Sequence, residues 1–246
     1  MQTISEPALF LPGTLCDERI WLPVWRHMSF ATGARQYVPL QWANDLQQML
    51  ALTHDRLNAN SKKVHLIGFS MGGYIASLAA LESNNVASLT LMGYSPQGLS
   101  AQETSARKHT ISAIEKRQFT GMTQAHLSQY LTAVELGDEQ ICNTILSMAT
   151  DLGINTLKHH FSATTPRQDL RSKLQSLKVP IYCIAAEHDQ IASAQSVEDF
   201  CQHKSSVECH VIESTAHMMS LTQPQRCAQL ITANIARSLQ SAVNLG

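Results

Sequence analysis

The stretch that most constrains this chain runs Val64-His65-Leu66-Ile67-Gly68-Phe69-Ser70-Met71-Gly72-Gly73 and continues into Tyr74-Ile75-Ala76-Ser77-Leu78-Ala79-Ala80-Leu81. A short apolar run ends at Ser70 and a helix of small residues begins at once, so strand, serine and helix are joined almost without a loop. In the pattern Gly68-x-Ser70-x-Gly72 the glycines stand two residues either side of the serine, where a Cβ would collide as strand and helix cross closely. Such a turn is sharp and strained, and it lifts the serine oxygen clear of the backbone. The helix opening at Met71 aims free N–H groups and a partial positive charge at the space above that oxygen. Alone the pattern is common; its partners elsewhere in the chain decide whether Ser70 is a turn residue or a nucleophile.

The elements around that stretch alternate. Ala8-Leu9-Phe10-Leu11 reads as a buried strand stopped by Pro12-Gly13, and Asp17 caps a short helical segment carrying Trp21, Val24 and Trp25. Tyr37-Val38-Pro39-Leu40 is a weaker strand, and Leu46, Met49, Leu50 and Leu57 follow helical spacing from Asn44 to Asn58. Leu89-Thr90-Leu91-Met92 is the strand after the Ser70 helix. Later come strands over Val179–Ala185 and Val207–Ile212, a helix from Ser193, and a terminal helix from Pro224 with Cys227, Leu230, Ile231, Ile235 and Leu239 on one face. The alternation predicts an α/β fold: a doubly wound, mostly parallel sheet of about six strands with helices on both faces.

Residues 100–176 break the rhythm. Ser100 and Glu103 form a capping box, and helical spacing recurs at Leu127, Tyr130, Leu131 and Val134. It recurs again at Ile141, Ile145, Met148 and Leu152 before Gly153, and at Leu157 and Phe161. This segment is expected to be a helical cap inserted after the fourth strand, a lid over a core domain made of residues 1–99 and 177–246.

A serine nucleophile needs a base to take its proton and an acid to orient that base. In a doubly wound sheet such residues lie at the carboxyl ends of strands. Two strand ends supply them: Glu187-His188-Asp189 after Ala185, and Glu213-Ser214-Thr215-Ala216-His217 after Ile212. Glu187 is a rival to Asp189, and Asp189 has the alternative reading of a helix cap. His217 is one of 11 histidines; its place after the last strand sets it above His188 and His210. The His159-His160 pair reads as a solvated face of the cap, since adjacent helical side chains diverge and no third metal ligand is placed nearby. Arg167 and Asp169 read as a surface pair, with a tether between cap and sheet as the alternative.

With these residues in view, the chain resembles the α/β-hydrolase superfamily, in the compact group of esterase-like and enol-lactonase-like enzymes with a helical cap. The resemblance spans nearly the whole chain: the Leu11-Pro12-Gly13-Thr14 turn with Trp21 downstream, the Gly68-x-Ser70-x-Gly72 elbow, the cap position, Glu187-x-Asp189, and Ala216-His217 before the last helix. It implies a Ser70–His217–Asp189 triad in the family's chain order. It implies an oxyanion hole from the backbone N–H groups of Met71 and Thr14, with Leu15 as the alternative to Thr14. Pro12 stands where the family places a histidine. The chain starts at the family's third strand, so a sheet shorter than the full eight is expected. Val38-Pro39-Leu40-Gln41 replaces the usual Asp-x-Pro-Gly-x-Gly-x-Ser loop. Leu15, Trp21, Tyr94, Met218 and Met219 are candidates for the substrate pocket, with core packing the other reading of each.

The implied activity is hydrolysis of a small-molecule carboxylic ester or related acyl compound, with no cofactor and no metal. Carbon–carbon bond cleavage on the same triad, or a non-catalytic small-molecule receptor, are the alternatives. Among 246 residues, a hydrophobic content of 44%, a formal net charge of −1 and the lack of any Lys/Arg block point away from nucleic acid and anionic membranes as partners. The N-terminus lacks the pattern of a signal peptide, no apolar run reaches transmembrane length, and the six cysteines are scattered without a CxxC pair. A cytoplasmic protein is the expectation; the sequence specifies no oligomeric state.

Overall fold

The computed structural model describes residues 2–202 and 207–243. In chain order the elements are β1 (Thr3–Ile4), β2 (Ala8–Leu11), α1 (Leu22–Trp25), β3 (Ser29–Phe30), β4 (Arg35–Tyr37), α2 (Leu46–Asn58), β5 (Val64–Phe69), α3 (Met71–Glu82) and β6 (Val86–Met92). After these come α4 (Ala101–Glu115), α5 (Glu139–Ala163), α6 (Arg171–Ser176), β7 (Ile181–Ala186), α7 (Ala194–Cys201), β8 (Val207–Ile212), α8 (Met219–Thr222) and α9 (Pro224–Val243).

Six strands form one sheet in the order β4-β2-β5-β6-β7-β8, and every neighbouring pair is parallel. Its side chains alternate between two cores. Phe10, Ile67, Phe69, Met92, Ile184 and Ile212 pack on one face with α1, α8 and α9. Leu9, Leu11, Leu66, Leu89, Leu91 and Cys183 pack on the other with α2, α3, α6 and α7. Both faces are covered, so the four inner strands β2, β5, β6 and β7 are buried at nearly every position, while the edge strands β4 and β8 are partly polar and exposed. Of the face expected on the terminal helix, Cys227, Leu230, Ile231 and Ile235 are buried and Leu239 is partly buried against them.

The chain leaves β2 outward to β4 and then crosses back to β5, so strand order reverses between β2 and β5. A cleft opens at the carboxyl ends of the strands where such a reversal occurs. The loop Pro12-Gly13-Thr14 leaves β2 at that point and Ser70 leaves β5 there.

Three expectations are adjusted. The weak strand is Arg35–Tyr37, three residues on the sheet edge, because Pro39 has no N–H for the ladder and Leu40 turns into a 3-10 helix, Leu40–Trp42. A further two-stranded parallel sheet, β1 with β3, was not anticipated. The helix expected around Leu127–Val134 is two 3-10 turns, Gln124–Gln129 and Glu135–Gly137. Besides the hydrogen bonds within these turns, Tyr130 O accepts the Met218 N–H at 3.3 Å and Glu135 binds the loop before His217.

Between β6 and β7 the described chain holds helices and no strand. The capping box at Ser100 and Glu103 opens α4. Gly153 (φ 77°, ψ 167°) interrupts α5 in a conformation only glycine takes easily, which separates two helices there.

Candidate active site

Ser70 holds φ 51° and ψ −114° between β5 and α3. A non-glycine residue rarely takes this conformation, and the close crossing of the two elements enforces it. A Cβ on Gly68 would run into the Gly72 backbone, and one on Gly72 into the Leu11 carbonyl. The Ser70 N–H donates to Met92 O at 2.8 Å, which ties the turn to β6. Met71 then opens α3, where the first N–H groups have no intrahelical acceptor.

Three strand ends converge on this point. His217 Nε2 lies 3.1 Å from Ser70 Oγ, and its Nδ1 lies 2.8 Å from Asp189 Oδ2. A carboxylate only accepts, so Nδ1 carries the proton and Nε2 faces the serine as an acceptor. The Asp189 side chain is fully buried; its other oxygen accepts the Ile191 and Ala192 N–H groups at 2.7 and 2.9 Å. Those bonds hold the carboxylate in place, while Ser193 caps α7. Glu187 is half exposed and accepts the Ser214 N–H at 2.8 Å, on the outer side of the same loop. The Phe69 ring, 5.1 Å from the His217 ring, covers the imidazole on one side.

The loop after β2 supplies the facing wall. Cys16 N–H donates to Gly13 O at 3.3 Å, closing a tight turn whose third residue, Leu15, has φ 54°. Turns of this shape favour glycine there. Leu15 is held by burial and by an unexpected partner: its N–H donates to His160 Nδ1 at 3.1 Å. The His159-His160 pair is therefore not a solvated face, because His160 on α5 is wholly buried beneath the Leu15 turn. Burial pushes its pKa down to about 4, with the Leu40 backbone acting weakly the other way, so it is neutral and can accept the Leu15 N–H. With the Leu15 N–H engaged, the Thr14 N–H is the one without an acceptor among the described residues.

Residues between β6 and β7 close the site. A cavity of about 470 Å³ is lined by Thr14, Leu15, Ser70, Arg107, Met148 and His217, with Met218, Tyr130 and Phe161 among its other walls. Leu15 and Met218 stand on its wall. Trp21 and Tyr94 do not: Trp21 is fully buried against Phe10 and Phe69, and Tyr94 packs on Tyr74 on the opposite face of the sheet. Met219 is also core.

Glu135 joins the segment to the histidine loop, its Oε1 accepting from Thr215 Oγ1 at 2.6 Å and its Oε2 lying 3.3 Å from the Ala216 N. Arg167 is not paired with Asp169; it stacks over Tyr74 and Tyr94 at 5.0 and 5.8 Å, while Asp169 binds Arg171. Sequence reading did not single out Arg107, Tyr130, Glu135 or His160 for these positions, because nothing local marks a residue whose partner lies 80 or 145 positions away. Among the described residues, no cluster of His, Cys, Asp and Glu is arranged to hold a metal ion, and no helix is long and apolar enough to cross a membrane.

Residues 8–230 match the alpha/beta hydrolase family, and the chain belongs to it. It is 26% identical over 192 residues to mouse monoacylglycerol lipase ABHD6, covering 73% of this chain and 57% of that protein. It therefore spans little more than half the length of that relative. It is 27% identical to the 2-succinyl-6-hydroxy-2,4-cyclohexadiene-1-carboxylate synthase of Salmonella arizonae, over 85% of each chain. In three dimensions it is similar to a thermophilic esterase from Thermogutta terrifontis, with a TM-score of 0.80, 18% identity, and coverage of 96% and 91% of the two chains. The enol-lactonase from Burkholderia xenovorans gives a TM-score of 0.70 at 16% identity, covering 94% and 92%.

Proposed function

We propose that this chain is a serine hydrolase that cleaves a carboxylic ester or related acyl compound of small size. The observation that carries the reading is the unbroken hydrogen-bonded line from Ser70 Oγ through His217 to Asp189. Ser70 Oγ attacks the carbonyl carbon as His217 Nε2 takes its proton. Asp189 keeps Nδ1–H in place and stabilises the imidazolium that forms. The negative charge that develops on the carbonyl oxygen is held by the Thr14 and Met71 N–H groups at the start of α3, where the helix dipole is also favourable. The imidazolium returns its proton to the leaving alcohol oxygen, and the acyl group stays on Ser70. A water deprotonated by His217 then attacks the acyl-enzyme and releases the acid.

Residues 100–176 serve in this reading as a cap domain over the core of 1–99 and 177–246. The cap excludes water, and it braces the catalytic loops through Glu135 on the histidine side and His160 on the oxyanion side. The likeness to proteins named as an esterase, an enol-lactonase and a monoacylglycerol lipase supports an ester substrate. The second reading is carbon–carbon bond cleavage on the same triad; one relative is named a synthase, not an esterase or lipase. A panel of aryl esters of graded acyl length, run beside β-diketones on the wild type and Ser70→Ala, tests both. The proposal expects ester turnover lost by about 10⁴-fold or more in Ser70→Ala. Turnover of β-diketones alone would transfer the triad to the second reading.

A further inference from the structure

The cavity wall contains a cation, Arg107, that makes no salt bridge among the described residues; Glu103, one turn away, acts on it only at a distance. Arg107 stands on α4 and lines the same cavity as Ser70 and His217. Its Nη1 donates to Thr164 Oγ1 at 3.1 Å and toward the Thr164 carbonyl at 3.5 Å, and its guanidinium lies 5.0 Å over the Phe161 ring. These contacts fix the side chain without neutralising it. Its other N–H groups have no protein acceptor among the described residues, and none of those nitrogens is sealed away from the cavity.

The surroundings reinforce the imbalance. Glu103, one turn earlier on α4, also lines the cavity, but its Oε2 accepts the Ser100 N–H at 2.8 Å in the capping box. Arg167 is a second guanidinium acting on Arg107; it is stacked on two tyrosine rings and has no acceptor at Nε. Burial first, and Arg167 second, push Arg107 down to about 10, which leaves it charged at neutral pH. The remaining walls include Phe119, Met122, Ile145 and Leu157. The wall also carries Thr110, His126, Gln129 and Gln190, and a guanidinium fork half-buried in it is suited to a planar oxyanion.

We propose that the substrate carries a free carboxylate in addition to its scissile ester, and that Arg107 is the residue that binds it. The proposal rests on the ester-hydrolase reading of Ser70. The two guanidiniums of Arg107 and Arg167 set against Glu103 leave one net positive charge, which a single carboxylate balances; a phosphate dianion would exceed it.

The test uses two ester pairs. One has the carboxylate on the acyl side, an aryl half-ester of adipic acid against its methyl-capped diester. The other has it on the alcohol side, the butyryl ester of 4-hydroxybenzoate against that of its methyl ester. In at least one pair the charged member should be preferred by about 10- to 100-fold in kcat/KM, the effect of a charge-assisted hydrogen bond. Arg107→Gln should bring that ratio to near one, and Arg107→Lys should retain part of it. The ratio is internal to each variant, so partial loss of folding cancels. No preference in either pair, a preference that survives Arg107→Gln, or a stronger preference for a phosphorylated analogue overturns the carboxylate assignment. If Ser70 reacts with a fluorophosphonate and neutral esters turn over without charge preference, only this assignment falls. If Ser70 does not react and no ester turns over, the hydrolase reading falls and takes the assignment with it.

Discussion

Replacing His160 with alanine should reduce turnover although residue 160 touches neither Ser70 nor His217. The ring accepts the Leu15 N–H at 3.1 Å inside the protein, and Leu15 sits at φ 54°, where a side chain is strained. Removing the acceptor leaves a buried donor unsatisfied, which costs about 1–3 kcal/mol, and the vanished ring adds a cavity. The cheapest relaxation turns the Thr14–Leu15 peptide toward another acceptor, which loosens the Gly13–Cys16 turn and shifts the adjoining Gly13–Thr14 peptide, whose N–H is the donor in the proposed oxyanion hole. Loss of one such donor typically lowers kcat by about 10²- to 10³-fold. KM should change far less, because the donor acts mainly on charge that forms in the transition state. His160→Asn places an oxygen acceptor near the Nδ1 position and should recover most of kcat. Steady-state kinetics on one aryl ester, with thermal melts to show that both variants are folded, makes the comparison. A folded His160→Ala enzyme with wild-type kcat, or an Asn variant that falls as far as Ala, would refute the reasoning.

Asp189→Asn should lower kcat by about 10⁴-fold, as a wrong imidazole tautomer does in serine proteases, whereas Glu187→Gln should leave it within a few-fold; kcat measured on both variants decides which acid orients His217. His160 and His65 are buried with pKa values lowered by desolvation to about 4, so both stay neutral when folded and become protonated near pH 6.5 when unfolded. Each therefore contributes stability that is complete above pH 6.5 and is lost as pH falls from there to about 4, roughly 3 kcal/mol per histidine. Urea melts across that range should show the decline, and His160→Asn should flatten it. Trimming Ile145 or Met148 in the cavity wall to alanine should shift relative kcat/KM toward longer acyl chains while Ser70 still reacts with a small fluorophosphonate; an unchanged profile would remove the cap from the specificity argument.

Much of this site is legible in the sequence because its parts are marked locally. The Ser70 turn needs Gly68 and Gly72 wherever strand and helix cross so closely, and both glycines meet backbone atoms as expected. Asp189 and His217 follow two neighbouring parallel strands, β7 buried throughout and β8 only partly, whose ends the sheet brings to one edge. What was hidden depends on distant partners. His160 reads as an ordinary helical histidine until α5 packs over the Leu15 turn, and nothing in the sequence marks Leu15 for a left-handed backbone or for His160 as its partner. Trp21 and Tyr94 show the converse. A large aromatic near a site motif looks the same in sequence whether it fills a core or lines a cavity, and here both fill cores. The turns at Gln124–Gln129 and Glu135–Gly137 carry helical spacing, yet they form as two separate 3-10 turns, with Glu135 bonded to the loop before His217 and Tyr130 to Met218.

The central claim is that Ser70 is an activated nucleophile, and covalent labelling tests it most directly. After treatment with a fluorophosphonate, peptide mass spectrometry should find the phosphonyl adduct on Ser70. The rate should fall sharply in His217→Ala, and no adduct should form in Ser70→Ala. An adduct on another serine, or a Ser70 that remains unmodified in an enzyme still turning over esters, would contradict the account.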